Sequence, residues 1–98
     1  MKIEERIDQA YSSEKEKHGM LTIVLFHIGD HYEAYYSDAN IIAKICGLKI
    51  FSASEKIPFI RFPERKMEKY MNQLVDANYS VCLSEVRGPS GQYILKSL

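Results

Sequence analysis

A histidine and a glutamate two positions apart, His31 and Glu33, stand directly after the dipeptide Gly29-Asp30, which itself closes an apolar run beginning Thr22-Ile23-Val24-Leu25-Phe26. Side chains alternate along a strand, so on the strand leaving that turn His31 and Glu33 share one side, and Tyr35 shares it with them. A flat ring beside a carboxylate on an exposed edge suits stacking on a nucleobase and accepting a hydrogen bond from it. Arg61, Arg65, Lys66 and Lys69 gather around the start of a later helix, the last three on one helical face opposite Met67 and Met71. There they can contact phosphates, helped by the backbone N–H groups of the helix N-terminus. Glu64 and Glu68 interleave with these cations, so a solubilising face is the plainer account of the cluster. For His31 and Glu33 on residue types alone, a solvated pair beside a turn is likewise the plainer account.

Other chemistry has less support. His18, His27 and His31 lack metal-ligand spacing, with no acidic residue or cysteine completing a set, and no metal is expected. Cys82 with a histidine would be a nucleophile–base pair, yet neither sits in an activating motif, so no catalytic residue, no cofactor and no enzyme activity are expected. Cys46 and Cys82 lie in apolar surroundings and read as buried reduced thiols rather than a disulfide. Most of the seven tyrosines fall at core-facing spacing, with Tyr35 set apart by its place beside His31 and Glu33.

The elements that must position these residues follow from periodicity. Ile3, Ile7, Ala10 and Tyr11 recur at helical spacing, and Gly19 stops the helix, with the charge run 14–17 as a solvated face. Residues 22–28 form a strand covered on both faces, Gly29-Asp30 a tight reversal, and residues 31–36 its antiparallel partner. Ser37 is the expected N-cap of a helix carrying Ala39, Ile42, Ala43 and Cys46 and ended by Gly47. Residues 48–53 and 57–62 read as short strands joined by the turn 54–56, the second at an edge or starting outside the pairing because Pro58 has no N–H to donate. Pro63 lies at or next to the start of a third helix with Met67, Tyr70, Met71, Leu74 and Val75 as its apolar stripe and Asn78 at its end. Residues 79–86 form a strand, 88–91 a turn and 92–96 a final strand. The expected fold is α/β (α+β), a mixed sheet of about five to six strands with three packed helices.

Ninety-eight residues make one domain, 1–98, with room for a single core. No apolar stretch approaches the roughly 20 residues of a membrane span, and residues 1–6 lack the apolar core of a signal peptide, so a cytoplasmic location is expected. Thirteen basic and thirteen acidic residues balance. Any nucleic-acid binding must then come from a local patch, because phosphate neutralisation supplies sequence-independent affinity.

Three blocks in order resemble the N-terminal, mismatch-recognition domain of the MutS family. The first is Phe26-His27-Ile28-Gly29-Asp30-His31-Tyr32-Glu33-Ala34-Tyr35-Tyr36-Ser37-Asp38-Ala39, similar to the family's strand–turn–strand ending in Gly-Asp-Phe-Tyr-Glu and running into a helix. The second is Ile57-Pro58-Phe59-Ile60-Arg61-Phe62-Pro63, and the third is the helix, turn and strand from Tyr70 to Glu85. In that family a Phe-x-Glu pair reads a mispaired base from the minor groove, the ring stacking and the glutamate hydrogen-bonding. The resemblance puts His31 in place of the phenylalanine and retains Glu33. Imidazole is a smaller, polar wedge. Arg61 stands where a small residue is usual, and Glu64-Arg65 replace a Tyr-His pair. The phosphate loop Gly-x-x-x-x-Gly-Lys-Ser/Thr of the family's ATPase region does not occur in this sequence, so no ATP is expected. The resemblance implies a stand-alone, non-enzymatic module for double-stranded DNA with a mismatch or unpaired base, read by His31, Glu33 and Tyr35 and held by Arg61, Arg65, Lys66 and Lys69. The alternative is a protein–protein interaction module that kept the fold and lost DNA reading.

Overall fold

The computed structural model of the chain describes residues 3–53 and 57–85. In chain order the elements are α1 (Ile3–His18), β1 (Thr22–Ile28), β2 (His31–Tyr35), α2 (Tyr36–Cys46), β3 (Phe51–Ala53), β4 (Ile57–Pro63), a 3-10 turn (Glu64–Lys66), α3 (Met67–Asp76) and β5 (Ser80–Glu85). The strands form one sheet in the order β3-β4-β2-β1-β5, with β1 and β5 parallel and every other neighbouring pair antiparallel. This is the expected α+β fold of three helices on a mixed sheet. The turn expected at 88–91 and the strand at 92–96 lie outside the described residues, as does the turn at 54–56.

Each sheet face buries its own cluster. On one, Val24, Phe26, Ile28, Tyr35, Ile57 and Phe59 pack with Ile7 of α1. On the other, Ile23, Leu25, Ala34, Ile60 and Phe62 pack under α2 and α3 through Ala39, Ile42, Tyr70 and Leu74. Two-sided burial explains the unbroken apolar run of β1. On α3, Tyr70 and Leu74 carry the packing, while Val75, expected in the stripe, is exposed.

Four local expectations are corrected. The run 14–17 is a solvated face only in part: Glu16 and Lys17 are exposed, but Lys15 is 3% exposed. It continues the stripe of Ile7 and Tyr11 by one helical step, and its ammonium donates to Asp38 Oδ1 at 2.8 Å, to the Met20 carbonyl at 3.2 Å and to the Thr22 carbonyl. Ser37 is not the N-cap of α2; that position is Tyr35, without a side-chain cap bond. Strand β2 stays paired through Tyr35↔Phe59, so the chain enters the helix through Tyr36 in the left-handed region at φ 57°, a conformation uncommon outside glycine and asparagine. Of the two expectations for Pro58, the edge position is corrected, since β4 lies between β3 and β2, while the start outside the pairing holds toward β2: the proline sits one residue beyond that register, opposite Ser52 of β3. The strand expected over 48–53 shortens to β3, Phe51–Ala53. Gly19, Gly47 and Asn78 take the left-handed conformations expected of helix ends, at φ 91°, 70° and 70°.

Candidate nucleic-acid site

The hairpin that builds the site closes on Gly29, whose φ of 63° is readily reached without a Cβ. Its two-residue loop sets the register Ile28↔His31, His27↔Tyr32 and Phe26↔Glu33. On the far side of β2, Glu33 faces Arg61 of β4 and His31 faces Pro63. Glu33 therefore sits between Phe26 and Arg61 on the α1 face of the sheet.

The exposed edge expected for His31 and Glu33 is not there, because β2 is the middle strand of the sheet. Glu33 is 0% exposed and His31 9%. Glu33 Oε2 accepts from His31 Nε2 at 2.7 Å and from Arg61 Nε at 3.2 Å, and Oε1 accepts from the Tyr35 hydroxyl at 3.0 Å. A carboxylate only accepts, so in this contact His31 carries its hydrogen on Nε2. The Nδ1 atom points outward, 3.4 Å from the exposed carboxylate of Asp30. Burial, then the adjacent Glu33 carboxylate, pushes the Tyr35 hydroxyl far above its ordinary pKa, fixing it as a donor. Tyr35 is thus brought to the site as expected, but as a fully buried support rather than an exposed ring.

The cationic residues divide. Arg61 belongs to the α1 face with Glu33, its guanidinium 5.6 Å from the Phe59 ring. Lys69 sits on α3, which packs against the opposite face, its ammonium 5.9 Å from the Tyr70 ring. Arg65 and Lys66 belong to the 3-10 turn between. The expected cluster of four is therefore one cation inside the Glu33 network, two in the turn that follows β4 and one on α3.

Two groupings went unread in the sequence. His27 Nδ1 lies 2.6 Å from Glu85 Oε1 and its Nε2 3.5 Å from Glu64, and the ring stacks on Tyr32 at 4.6 Å. The hydrogen bond to Glu85 raises the His27 pKa against the opposing effect of burial. Glu14, His18 and Cys82 also converge, with one donor atom from each lying within 4.8 Å of the others. Glu14 and His18 are one turn apart on α1, and β5 brings Cys82 beside them from far along the chain, a proximity that the spacing of the histidines does not disclose. Cys46 and Cys82 are both free thiols, half-buried rather than fully so, and burial pushes both up.

A five-stranded mixed sheet with helices on both faces and a Gly-Asp hairpin carrying the polar network defines the class of domain. Its family is equally plain: the model of MutS domain I matches residues 5–92, and the chain belongs to that family. Relatives include the DNA mismatch repair protein MutS of Thermosipho melanesiensis, 33% identical over 75 residues, covering 76% of this chain and 9% of that protein. The MutS proteins of Fervidobacterium nodosum and Thermotoga petrophila are 34% and 31% identical over 64 residues, covering 65% of this chain and 8% of each protein. The chain thus spans under a tenth of the length of these relatives. In the MutS family, domain I is the mismatch-recognition domain and not the ATPase domain. Among the described residues no helix is long and apolar enough to cross a membrane.

Proposed function

We propose that this domain is a non-enzymatic DNA-binding module that engages duplexes carrying a mispaired or unpaired base, in a mismatch-repair context. The observation that supports it is the His31–Glu33 pair, held at the hairpin position where the MutS family carries its Phe-x-Glu reader, within a chain that belongs to that family. His31 is the outermost ring of the network, and Glu33 stands behind it. In this reading His31 rotates outward to stack on the displaced base, which frees one lone pair of Glu33 Oε2 for the base edge. Arg61 and Tyr35 keep the carboxylate in place while the ring moves. Arg65, Lys66 and Lys69 hold the phosphate backbone, contributing affinity without sequence preference.

A second reading is favoured by one observation: His31, Tyr35 and Arg61 hold Glu33 from within the domain, so base reading must first break a 2.7 Å contact. In that reading the domain is a protein-interaction module that kept the fold without DNA reading, and its partner is a protein.

Fluorescence anisotropy at low salt tests both. It compares a matched duplex with one carrying a mismatch or an unpaired base, for the native chain, Glu33→Ala and His31→Phe. A surviving reader prefers the defect by about tenfold, roughly 1.4 kcal/mol, and loses that preference in Glu33→Ala. Its log–log salt slope is no steeper than about −4, given so few cations. Binding gained only in His31→Phe identifies a DNA scaffold retired from reading. No binding by native chain or His31→Phe overturns the DNA reading in favour of protein interaction.

A further inference from the structure

We propose that Glu14, His18 and Cys82 form a binding site for a zinc-type transition-metal ion at the seam between the end of α1 and β5, the outer strand on that side among the described residues. Glu14 Oε2 lies 3.4 Å from His18 Nε2 and 3.9 Å from Cys82 Sγ, and the three donor atoms fit within 4.8 Å. A tetrahedral ion with bonds of about 2.0–2.3 Å needs donors roughly 3.3–3.8 Å apart. Side-chain rotation that brings the widest-spaced donors about 1–1.5 Å closer closes the difference. The donor set decides the metal class: one thiolate, one imidazole and one carboxylate suit zinc and its neighbours, whereas calcium and magnesium take oxygen ligands.

The scaffold supplies the rest of a site. Glu14 and His18 stand four residues apart on one face of α1. Cys82 is fixed by its parallel pairing opposite Val24. Ser84, two residues along β5 on the same face, donates to Glu14 Oε1 at 3.1 Å and so turns Oε2 toward His18 and Cys82. Lys17 lies 3.8 Å from Oε1 with its side chain 65% exposed, free to swing aside. His18 is exposed and Cys82 half-buried, so an ion has an entry path. On binding, the Cys82 thiol proton passes to solvent and sulfur binds as thiolate. Three protein ligands leave a fourth position for water or for a donor from another molecule. The bound ion ties the C-terminal end of α1 to β5.

Titration of the chain with Co2+ tests the site directly, read by the thiolate-to-metal charge-transfer absorption. The expected result is one equivalent bound, the band absent in Cys82→Ser and kept in Cys46→Ser. His18 is exposed, so His18→Ala leaves the far-UV spectrum unchanged while weakening binding by more than the roughly 10–100-fold typical of losing an outer-shell partner. Zn2+ at about 100 times Kd raises Tm by on the order of 10 °C in the native chain and not in His18→Ala. No charge-transfer band in the native chain, a band surviving in Cys82→Ser, or an equal Zn2+ shift in His18→Ala overturns the assignment.

Discussion

Among the described residues two carboxylates are withdrawn from water, and their surroundings differ in kind. Asp38, in the first turn of α2, is closed in on every side. Lys15 donates to one oxygen at 2.8 Å, the Val24 backbone N–H donates to the other at 3.0 Å, and the two ionic side chains are 2% and 3% exposed. Glu33 is buried as deeply, but its partners form a gradient toward solvent. Tyr35 is fully buried, the His31 side chain is 11% exposed and that of Arg61 is 33% exposed. The first arrangement is a clip joining α1, β1 and α2; the second is a lever whose outer members can leave for water. A buried charge thus marks a structural joint where its partners are sealed with it, and a place of exchange where they reach the surface.

The sharpest way to break that contrast is to remove one partner from the sealed pair. Lys15→Ala strands the Asp38 carboxylate in the core and should lower stability by about 3–5 kcal/mol, read as the urea midpoint at constant m-value. In Lys15→Ala/Asp38→Asn the amide oxygen still accepts the Val24 N–H, so the loss should fall short of the summed single losses by at least about 2 kcal/mol. Additive losses would mean that the two side chains do not act as a unit. Burial already raises the Asp38 pKa against the pull of Lys15. A raised carboxylate favours folding when protonated, so the Lys15→Ala deficit should shrink in acid and deepen as pH rises through the folded pKa.

Glu33→Gln makes the matching test of the open network and should have a smaller effect. The amide keeps an acceptor for Tyr35, while His31 and Arg61 can turn to water, so the expected loss is about 1–3 kcal/mol by the same urea measurement. A loss equal to that of Lys15→Ala would make Glu33 a second structural joint. It would also weaken the reading in which His31 swings outward.

These networks were unequally legible in the sequence. Period-two alternation placed His31, Glu33 and Tyr35 on one side of β2, and Gly29-Asp30 announced the hairpin, because both depend on local geometry. Burial of that side was hidden, since it depends on β4 pairing from the far side of β2 and on β1 holding the other. Arg61 was grouped with Arg65 through proximity in sequence, whereas the strand's pleat sends it to the opposite sheet face from α3. For α1 the periodicity was legible but the residue types misled. Ile7, Tyr11, Glu14, Lys15 and His18 lie on one stripe, and Glu14 and Lys15 were read as solvated because charge outweighed spacing. Ser37 had the right chemistry for a cap, yet β2 pairing through Tyr35 fixed where the helix could start.

His27 completes the series as a half-buried ring with exposed partners, and the effect expected of it is the smallest. It sits on the opposite face from Glu33, with Glu85 and Glu64 as partners whose side chains are 55% and 50% exposed. Its pKa is raised, first by the hydrogen bond to Glu85. A histidine with a raised folded pKa adds stability below the unfolded value of about 6.5, and that stability is lost as pH rises through the folded pKa. The stability difference between the native chain and His27→Gln should therefore shrink from mildly acidic to mildly alkaline buffer. The change should be below about 1 kcal/mol, as for other exposed ion pairs, and should fade with added salt. Groups such as Asp38 titrate in both proteins and cancel in the difference. A difference that grows with pH, or resists salt, would place His27 in a sealed environment like that of Lys15 and remove the exposure of the partners as the property separating these networks.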